Sequence, residues 1–273
     1  MNRRVYFPDG MSVPALGQGT WCMGQNPLKR NSEADAIRLG LDLGMKLIDT
    51  AEMYHDAEVV VGKAVKGRRE DAYIVSKVLP GNASRKGTIK ACEKSLKRMG
   101  VECMDLYLLH WPGSYPVRET LDAFVRLREQ GKIAAFGVSN FDVSEMEEAW
   151  GCPGGTAIAT NQVLYNLECR EVEWELRAWC QQRKVPLMAY SPLNRGRLAV
   201  TALRGVAQRH DASPHQVALA WLLHQDNVIV IPKSARTEHI EENYAAAGIS
   251  LTNADLEEID RAFLPPKGAS SLF

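Results

Sequence analysis

Four residues in the first half of the chain have the right types to put a proton on a carbonyl oxygen: Asp49, Tyr54, Lys77 and His110. A free tyrosine, with a pKa of about 10, is a poor acid near neutrality. A lysine ammonium beside its hydroxyl favours the phenolate and lowers that pKa. An aspartate paired with the lysine holds the ammonium in place and keeps it charged. A histidine on the next strand can hydrogen-bond the same oxygen and orient it. Such a set protonates an oxygen as negative charge develops on it, while hydride reaches the carbon. Singly, each residue also has an ordinary explanation. Asp49 can cap a turn, Tyr54 can be a rim aromatic, Lys77 a solvated strand end and His110 a satisfied buried histidine. Only the set points to chemistry.

The elements that must position these residues follow from the apolar pattern. Residues 5–7 and 11–13 flank Pro8-Asp9-Gly10, a turn signal between two short strands. Beyond it, strands are expected at 16–19, 46–49, 72–77, 104–110, 134–139, 158–163, 186–190 and 228–231. Helices are expected at 32–43, with Ser32 as N-cap, and at 58–65, 84–99, 117–130, 143–150 and 172–183. Further helices are expected at 200–210, 214–224, 237–247 and 253–263. Leu106-Tyr107-Leu108-Leu109 and Val228-Ile229-Val230-Ile231 are apolar without alternation, as in parallel strands buried on both faces. Each strand finishes in a polar group: Asp49, Lys77, His110, Ser139-Asn140, Asn161-Gln162, Tyr190-Ser191 and Lys233-Ser234. The recurrence of about thirty residues is one βα unit. Eight such units form a (β/α)8 TIM barrel, with the N-terminal hairpin and extra C-terminal helices added, and chemistry collects at the C-terminal rim. A doubly wound sheet is disfavoured, because Gly17-Gln18-Gly19-Thr20 lacks the third glycine of a phosphate loop.

Composition sets outer bounds. Hydrophobic residues at 45% and charged residues at 24% describe a globular protein rather than a disordered or collagen-like one. The chain of 273 residues, without linker or low-complexity tract, reads as one domain over 1–273. Lys+Arg and Asp+Glu are both 33, which argues against nucleic acid as a partner. No apolar run suits a membrane span or a secretory signal, so a cytoplasmic protein is expected. The six cysteines form no C-x-x-C pair, and no metal site is expected.

The sequence resembles the aldo-keto reductase family along essentially its whole length. The matching stretches are Leu47-Ile48-Asp49-Thr50-Ala51-Glu52-Met53-Tyr54, Val75-Ser76-Lys77, Met104-Asp105-Leu106-Tyr107-Leu108-Leu109-His110-Trp111-Pro112 and Gly137-Val138-Ser139-Asn140-Phe141. Asn161-Gln162-Val163-Leu164-Tyr165-Asn166, Ala189-Tyr190-Ser191-Pro192-Leu193 and Ile231-Pro232-Lys233-Ser234 continue the series in order. The nearest likeness is to bacterial members that reduce small aldehydes and dicarbonyls such as methylglyoxal. The resemblance implies a barrel closed below by the hairpin, with NADP(H) extended across the rim. It implies Tyr54 as general acid, Lys77 and Asp49 tuning it, and His110 orienting the carbonyl. It further implies Ser139, Asn140 and Gln162 on the nicotinamide carboxamide, Tyr190 stacked on the ring, and Ser191 and Leu193 at the pyrophosphate. Lys233 and Ser234 would meet the adenosine 2′-phosphate, and Glu242 and Asn243 the adenine.

Two departures from the family pattern bear on the cofactor. Where the family commonly has an arginine six residues after the lysine of Ile-Pro-Lys-Ser, this chain has His239, and Arg236 is the nearby substitute. A neutral histidine lacks the forked, permanent charge of arginine. NADP(H) is the expected cofactor, with NAD(H) left open, and Arg195 and Arg197 are further cations for a local basic corner. The loop after the seventh barrel strand is also short, running Asn194-Arg195-Gly196-Arg197-Leu198, so weaker strapping and faster cofactor exchange are expected. Trp21, Met53, Trp111 and Tyr115 are candidates for an apolar substrate wall, with packing under loops an equal account of Met53 and Tyr115. The tail from Pro265 either folds over this pocket or is disordered.

A small carbonyl compound is the expected partner, handled by a monomer. Two rival readings are a cofactor-binding regulatory subunit with little turnover and a barrel isomerase for phosphorylated sugars. The first is opposed by the intact four-residue set. The second is opposed by the absence of a glycine-rich phosphate site after the last strands.

Overall fold

The structure is a computed structural model and describes residues 3–268. In chain order, β1 (Arg4–Tyr6) and β2 (Ser12–Pro14) form an antiparallel hairpin. The repeating units follow as β3 (Gln18–Gly19), α1 (Arg30–Leu43), β4 (Leu47–Asp49), α2 (Ala57–Val65), β5 (Tyr73–Val78) and α3 (Arg85–Met99). They continue as β6 (Met104–Leu109), α4 (Val117–Glu129), β7 (Ile133–Ser139), α5 (Val143–Gly151), β8 (Ile158–Leu164) and α6 (Leu176–Gln182). The chain ends with β9 (Leu187–Tyr190), α7 (Arg204–Arg209), α8 (Pro214–His224), β10 (Val228–Val230), α9 (Thr237–Ala245) and α10 (Asn253–Ala262).

The 8-stranded sheet runs in sequence order from β3 to β10, and every neighbouring pair is parallel. Bridges from Leu16 to Val230 and from Gly19 to Lys233 join its two edges and close the barrel. Close approach of neighbouring backbone, at Gly19 across the closing seam, explains the glycine pair that looked like half a phosphate loop. A Cβ on Gly17 would stand 2.9 Å from the Leu47 carbonyl oxygen, and one on Gly19 would stand 2.9 Å from that of Ile231. The glycines let two strands meet at backbone distance.

Two apolar layers result. Between strands and helices pack Ile48, Ile74, Tyr107, Phe136 and their neighbours. Inside the barrel pack Leu47, Val75, Leu106, Leu108, Ala135, Met188 and Ile229, joined by Val5, Phe7 and Val13 of the hairpin. The hairpin therefore plugs the lower mouth, and Phe7 stacks on Tyr73 with ring centroids 5.6 Å apart. Among the described residues, no helix is long and apolar enough to cross a membrane, and all six cysteines are free.

Three local expectations are corrected. Ser32 lies inside α1 and donates to the Lys29 carbonyl, while Asn26 caps a preceding 3-10 turn at Pro27–Lys29. The helix expected over 172–183 breaks into a 3-10 turn at Glu171–Glu173 followed by α6. Glu173 accepts from both Arg170 and Tyr165, which commits that turn to tertiary partners. The helix expected over 200–210 likewise divides into a 3-10 turn at Val200–Leu203 and α7. Of the tail, residues 269–273 lie outside the described part, and residues 265–268 do not line the pocket at the rim.

Candidate active site

Side chains alternate along a strand, so the inward face continues every second residue. Leu47 is in the barrel interior and Asp49 is the next inward position. Val75 leads to Lys77 in the same way, Leu106 and Leu108 to His110, Ala135 to Ser139, Met188 to Tyr190, and Ile229 and Ile231 to Lys233. The apolar filling thus gives way to polar groups one step up the pleat. β8 departs from this phase. Its pairing with β7 steps from Phe136↔Ile158 to Val138↔Asn161, so β8 carries one extra residue there. The bulge turns Gln162 inward. Asn161 instead donates to the Phe141 carbonyl at 2.8 Å.

Asp49, Tyr54, Lys77 and His110 converge. Lys77 is fully buried and uses all three N–H donors, to Asp49 Oδ2 at 2.8 Å, the Thr50 carbonyl at 2.8 Å and Tyr54 Oη at 3.3 Å. The other oxygen of Asp49 accepts from Gln162 Nε2 at 2.7 Å. The Tyr54 and His110 rings lie edge to face with centroids 5.7 Å apart. Because Lys77 donates to the Tyr54 oxygen, the phenolic hydrogen is left free for a partner in the cavity.

Burial sets the protonation states. It would lower the Lys77 ammonium, but Asp49 and Tyr54 together outweigh it and the net direction is upward. Burial raises the Asp49 carboxyl against the opposing pull of Lys77 and Gln162. At Tyr54 the lowering by Lys77 that the sequence leads one to expect is present but outweighed. Burial raises its pKa, and Lys77 offsets only part of that rise. The hydroxyl therefore holds its proton at neutral pH. His110 is pushed down to about 2, first by burial and then by Lys77. Its imidazole is neutral, and a neutral ring can donate a hydrogen bond but is no acid near pH 7. Tyr54 is the group of this cluster that can both hold a proton and release it to a stronger base.

A cavity of about 740 Å³ opens over this cluster. Asp49, Tyr54 and His110 line it, while Lys77 lies behind them. Ser139, Asn140, Gln162, Tyr190, Ser191, Leu193, Lys233, His239, Glu242 and Asn243 also line it, as do Trp21, Met53 and Trp111. Four expected residues are not brought there. Ser234 is buried and its hydroxyl is engaged with the Arg236 backbone. The Arg236 side chain is 69% exposed and leans toward Glu238. Tyr115 is exposed outside the lining. Arg197 is also outside it, whereas Arg195 lines it.

Ser139 Oγ and Asn140 Oδ1 are buried in this wall without a hydrogen-bond partner, as is His110 Nδ1. Buried polar groups are normally paired, so adjacent orphans facing a cavity mark where a ligand supplies the partner. Asn140 adopts a left-handed backbone, with φ of 62°, while its amide donates to the His110 carbonyl at 3.0 Å. The rim loop after β9 is held by Glu168, which accepts from Asn194 Nδ2 at 2.6 Å and from the Ala199 N–H at 2.8 Å. Residues not anticipated from sequence include Cys22, Pro192 and His215 on the cavity wall. His215 follows the Ser213-Pro214 start of α8, and only that helix start hinted at its place near the rim. Among the described residues, no group of three or more His, Cys, Asp or Glu side chains is arranged to hold a metal ion.

Comparison with known proteins agrees with this geometry. The sequence profile of the Aldo/keto reductase family matches residues 15–263. The chain is 46% identical to "Methylglyoxal reductase YeaE" of Escherichia coli (strain K12), over 99% of this chain and 98% of that protein. It is 34% identical to "Glyoxal reductase" of Bacillus subtilis (strain 168), over 94% and 91% of the two chains. The crystal structure of an aldo/keto reductase from Klebsiella pneumoniae in complex with NADP and acetate superposes with a TM-score of 0.96. That likeness comes at 41% identity and covers 100% of this chain and 99% of the other. The chain belongs to the aldo/keto reductase family.

Proposed function

We propose that this protein reduces the carbonyl group of small aldehydes and 2-oxoaldehydes to an alcohol, using NADPH and the proton of Tyr54. The observation that carries the reading is the Lys77 ammonium, held on Asp49 at 2.8 Å and donating to the Tyr54 oxygen at 3.3 Å on the cavity floor. The names of the two reductase relatives and the NADP complex of the Klebsiella pneumoniae protein support it.

The residues present fit a dinucleotide. The orphaned Ser139 hydroxyl can donate to an amide carbonyl, and the Asn140 side-chain oxygen can accept from an amide NH2. A nicotinamide carboxamide offers both. Gln162 stands beside them with its Nε2 already given to Asp49, and the half-buried Tyr190 offers a ring face. Lys233, Glu242 and Asn243 line the same cavity and are the residues for the adenosine end. When bound, a reduced nicotinamide supplies the hydride. The chain's own residues do the rest. His110, neutral, donates to the carbonyl oxygen and holds it near Tyr54. Tyr54 gives its proton to that oxygen as alkoxide character develops, since an alkoxide is a far stronger base than a phenolate. Lys77 stabilises the phenolate left behind, and Asp49 keeps Lys77 charged and in place. Trp21, Trp111 and Met53 provide an apolar wall for an uncharged aldehyde. Trp21 meets Tyr54 edge to face with centroids 4.9 Å apart.

A panel of methylglyoxal, glyoxal, simple aldehydes and ketones tests this reading by dinucleotide consumption. The expected result is NADPH oxidation with the highest kcat/KM among the 2-oxoaldehydes and small aldehydes. No NADPH oxidation with any carbonyl compound would sink it.

A further inference from the structure

Trp21 meets Tyr54 edge to face on the cavity wall, yet it is 42% exposed, so packing alone does not hold it. Its turn is fastened at both ends. Thr20 donates to the Asp49 carbonyl through its N–H at 3.0 Å and its hydroxyl at 2.9 Å. At the far end the Gly24 N–H donates to Glu33 Oε2 at 2.8 Å. Between them the Met23 N–H closes on the Thr20 carbonyl at 2.9 Å. Cys22 and Gly24 are both left-handed, with φ of 65° and 78°, and a cysteine in that region is strained unless its surroundings hold it. Gly24 lies on the start of α2, where a Cβ on it would stand 2.5 Å from the Asp56 carbonyl carbon. Asp49 and Asp56 bracket the segment that carries Tyr54, so the Trp21 turn touches both ends of that segment. Glu33, in the first turn of α1, is buried. Among the described residues its carboxylate has this one hydrogen bond and no ion pair. A buried carboxylate costs stability unless it is well partnered, and an apolar side chain would fill the place at less cost. What the acid provides in return is a fixed Gly24 N–H.

We propose that Glu33 is a positioning residue for substrate selection: by fixing Gly24 it keeps Trp21 against Tyr54 and closes the cavity around small carbonyl compounds. The inference rests on the reading that this cavity reduces carbonyl compounds. Without Glu33 the turn is tied only at Thr20, and the indole is free to leave Tyr54. Methylglyoxal, which is small, then loses the wall that holds its carbonyl at the proton donor. Phenylglyoxal is the same dicarbonyl with a bulkier end, and it fills a looser pocket.

The ratio of kcat/KM for methylglyoxal to that for phenylglyoxal measures this fit. Glu33→Met lowers it about tenfold, the size of one lost hydrogen bond to a charged group, and acts by raising KM for methylglyoxal. The dissociation constant of NADPH, read by quenching of tryptophan fluorescence, does not change. Glu33→Gln keeps an acceptor oxygen and holds the ratio within about twofold of wild type. Trp21→Ala gives the same fall as Glu33→Met, and the two together give no further fall, because one residue acts through the other. In protein labelled with fluorotryptophan, the fluorine resonance lost in Trp21→Ala moves in Glu33→Met and stays in place in Glu33→Gln. Should Glu33→Met not fold, Glu33→Asp, one methylene short of Gly24, takes its place with the same expectations. An unchanged ratio, additive effects in the double variant or an unmoved Trp21 resonance overturns the proposal, as does a Glu33→Gln variant that behaves like Glu33→Met. Absence of NADPH oxidation by the wild type with every carbonyl compound removes the reductase reading and the substrate part of the proposal, while the Trp21 resonance still reports on the Glu33 contact.

Discussion

The two ends of this barrel are built from the same strands and the same inward face, yet they behave as different materials. At the lower end Val5, Phe7 and Val13 seal an interior of Leu47, Val75, Leu106 and Leu108. At the upper end the next inward positions are Asp49, Lys77 and His110, and orphaned polar atoms face an open cavity. Two residues along a strand, about 7 Å, separate the two regimes. The lower layer contributes apolar burial and asks for no partner. The upper layer places a buried ion pair and unpaired polar groups where they cost stability, a cost for which the proposed function gives a reason. Packing and reactivity are thus assigned to successive layers of one core.

Substitutions at the two ends should therefore fail in different ways. The largest combined effect is expected for Lys77→Met. It leaves Asp49 buried without its cation, at a cost of about 3–5 kcal/mol in stability. It also removes the group that steadies the Tyr54 oxygen. Denaturant unfolding and steady-state kinetics should both collapse, and adding Asp49→Leu should restore stability but not turnover. A double variant that regained turnover would break the division between layers.

Phe7→Ala probes the other end. It empties the plug beneath the barrel and should cost about 3–5 kcal/mol. At a temperature where the variant is still folded, kcat should stay near the wild-type value. A large fall in kcat without unfolding would show that the plug and the rim are coupled.

A smaller effect is the pH dependence of stability contributed by His110. Its folded pKa, pushed down to about 2, lies below the ordinary histidine value of about 6.5. Between these values the unfolded chain binds the extra proton, so stability increases with pH. The contribution of the neutral imidazole is complete above about pH 6.5 and is lost as pH falls, reaching about 2 kcal/mol at pH 5. His110→Gln should remove this part of the acid slope in unfolding free energy between pH 5 and 7. An unchanged slope would mean that the ring is already protonated or solvated in the folded protein.

The upper layer was legible in sequence because the strands are parallel and buried on both faces. Their apolar runs are conspicuous, and each ends in a polar residue at the same point of the βα repeat. Asp49, Lys77 and His110 could be placed on one rim from that recurrence alone. The hidden parts depend on geometry that no local pattern encodes. The choice of Gln162 over Asn161 comes from an extra residue in β8 relative to β7. The meaning of Gly19 comes from closure against Ile231, more than two hundred positions away, and that of Gly17 from the close approach of Leu47. The upward shift of Tyr54 comes from burial that outweighs its lysine, and a list of neighbouring charges does not contain it. Arg236 and Tyr115 were assigned by proximity in sequence, but neither lines the cavity, and Arg236 lies beside Glu238 instead.

The central claim is that Tyr54 supplies the proton from the upper layer while the rest of the barrel only positions it. Tyr54→Phe removes one oxygen and leaves ring packing against Trp21 and His110 available. Turnover of a 2-oxoaldehyde should fall by about a thousandfold, within the range of a lost general acid. NADPH binding, read by tryptophan quenching, and thermal stability should remain close to wild type. Turnover near the wild-type rate in a variant that still binds NADPH would contradict the account.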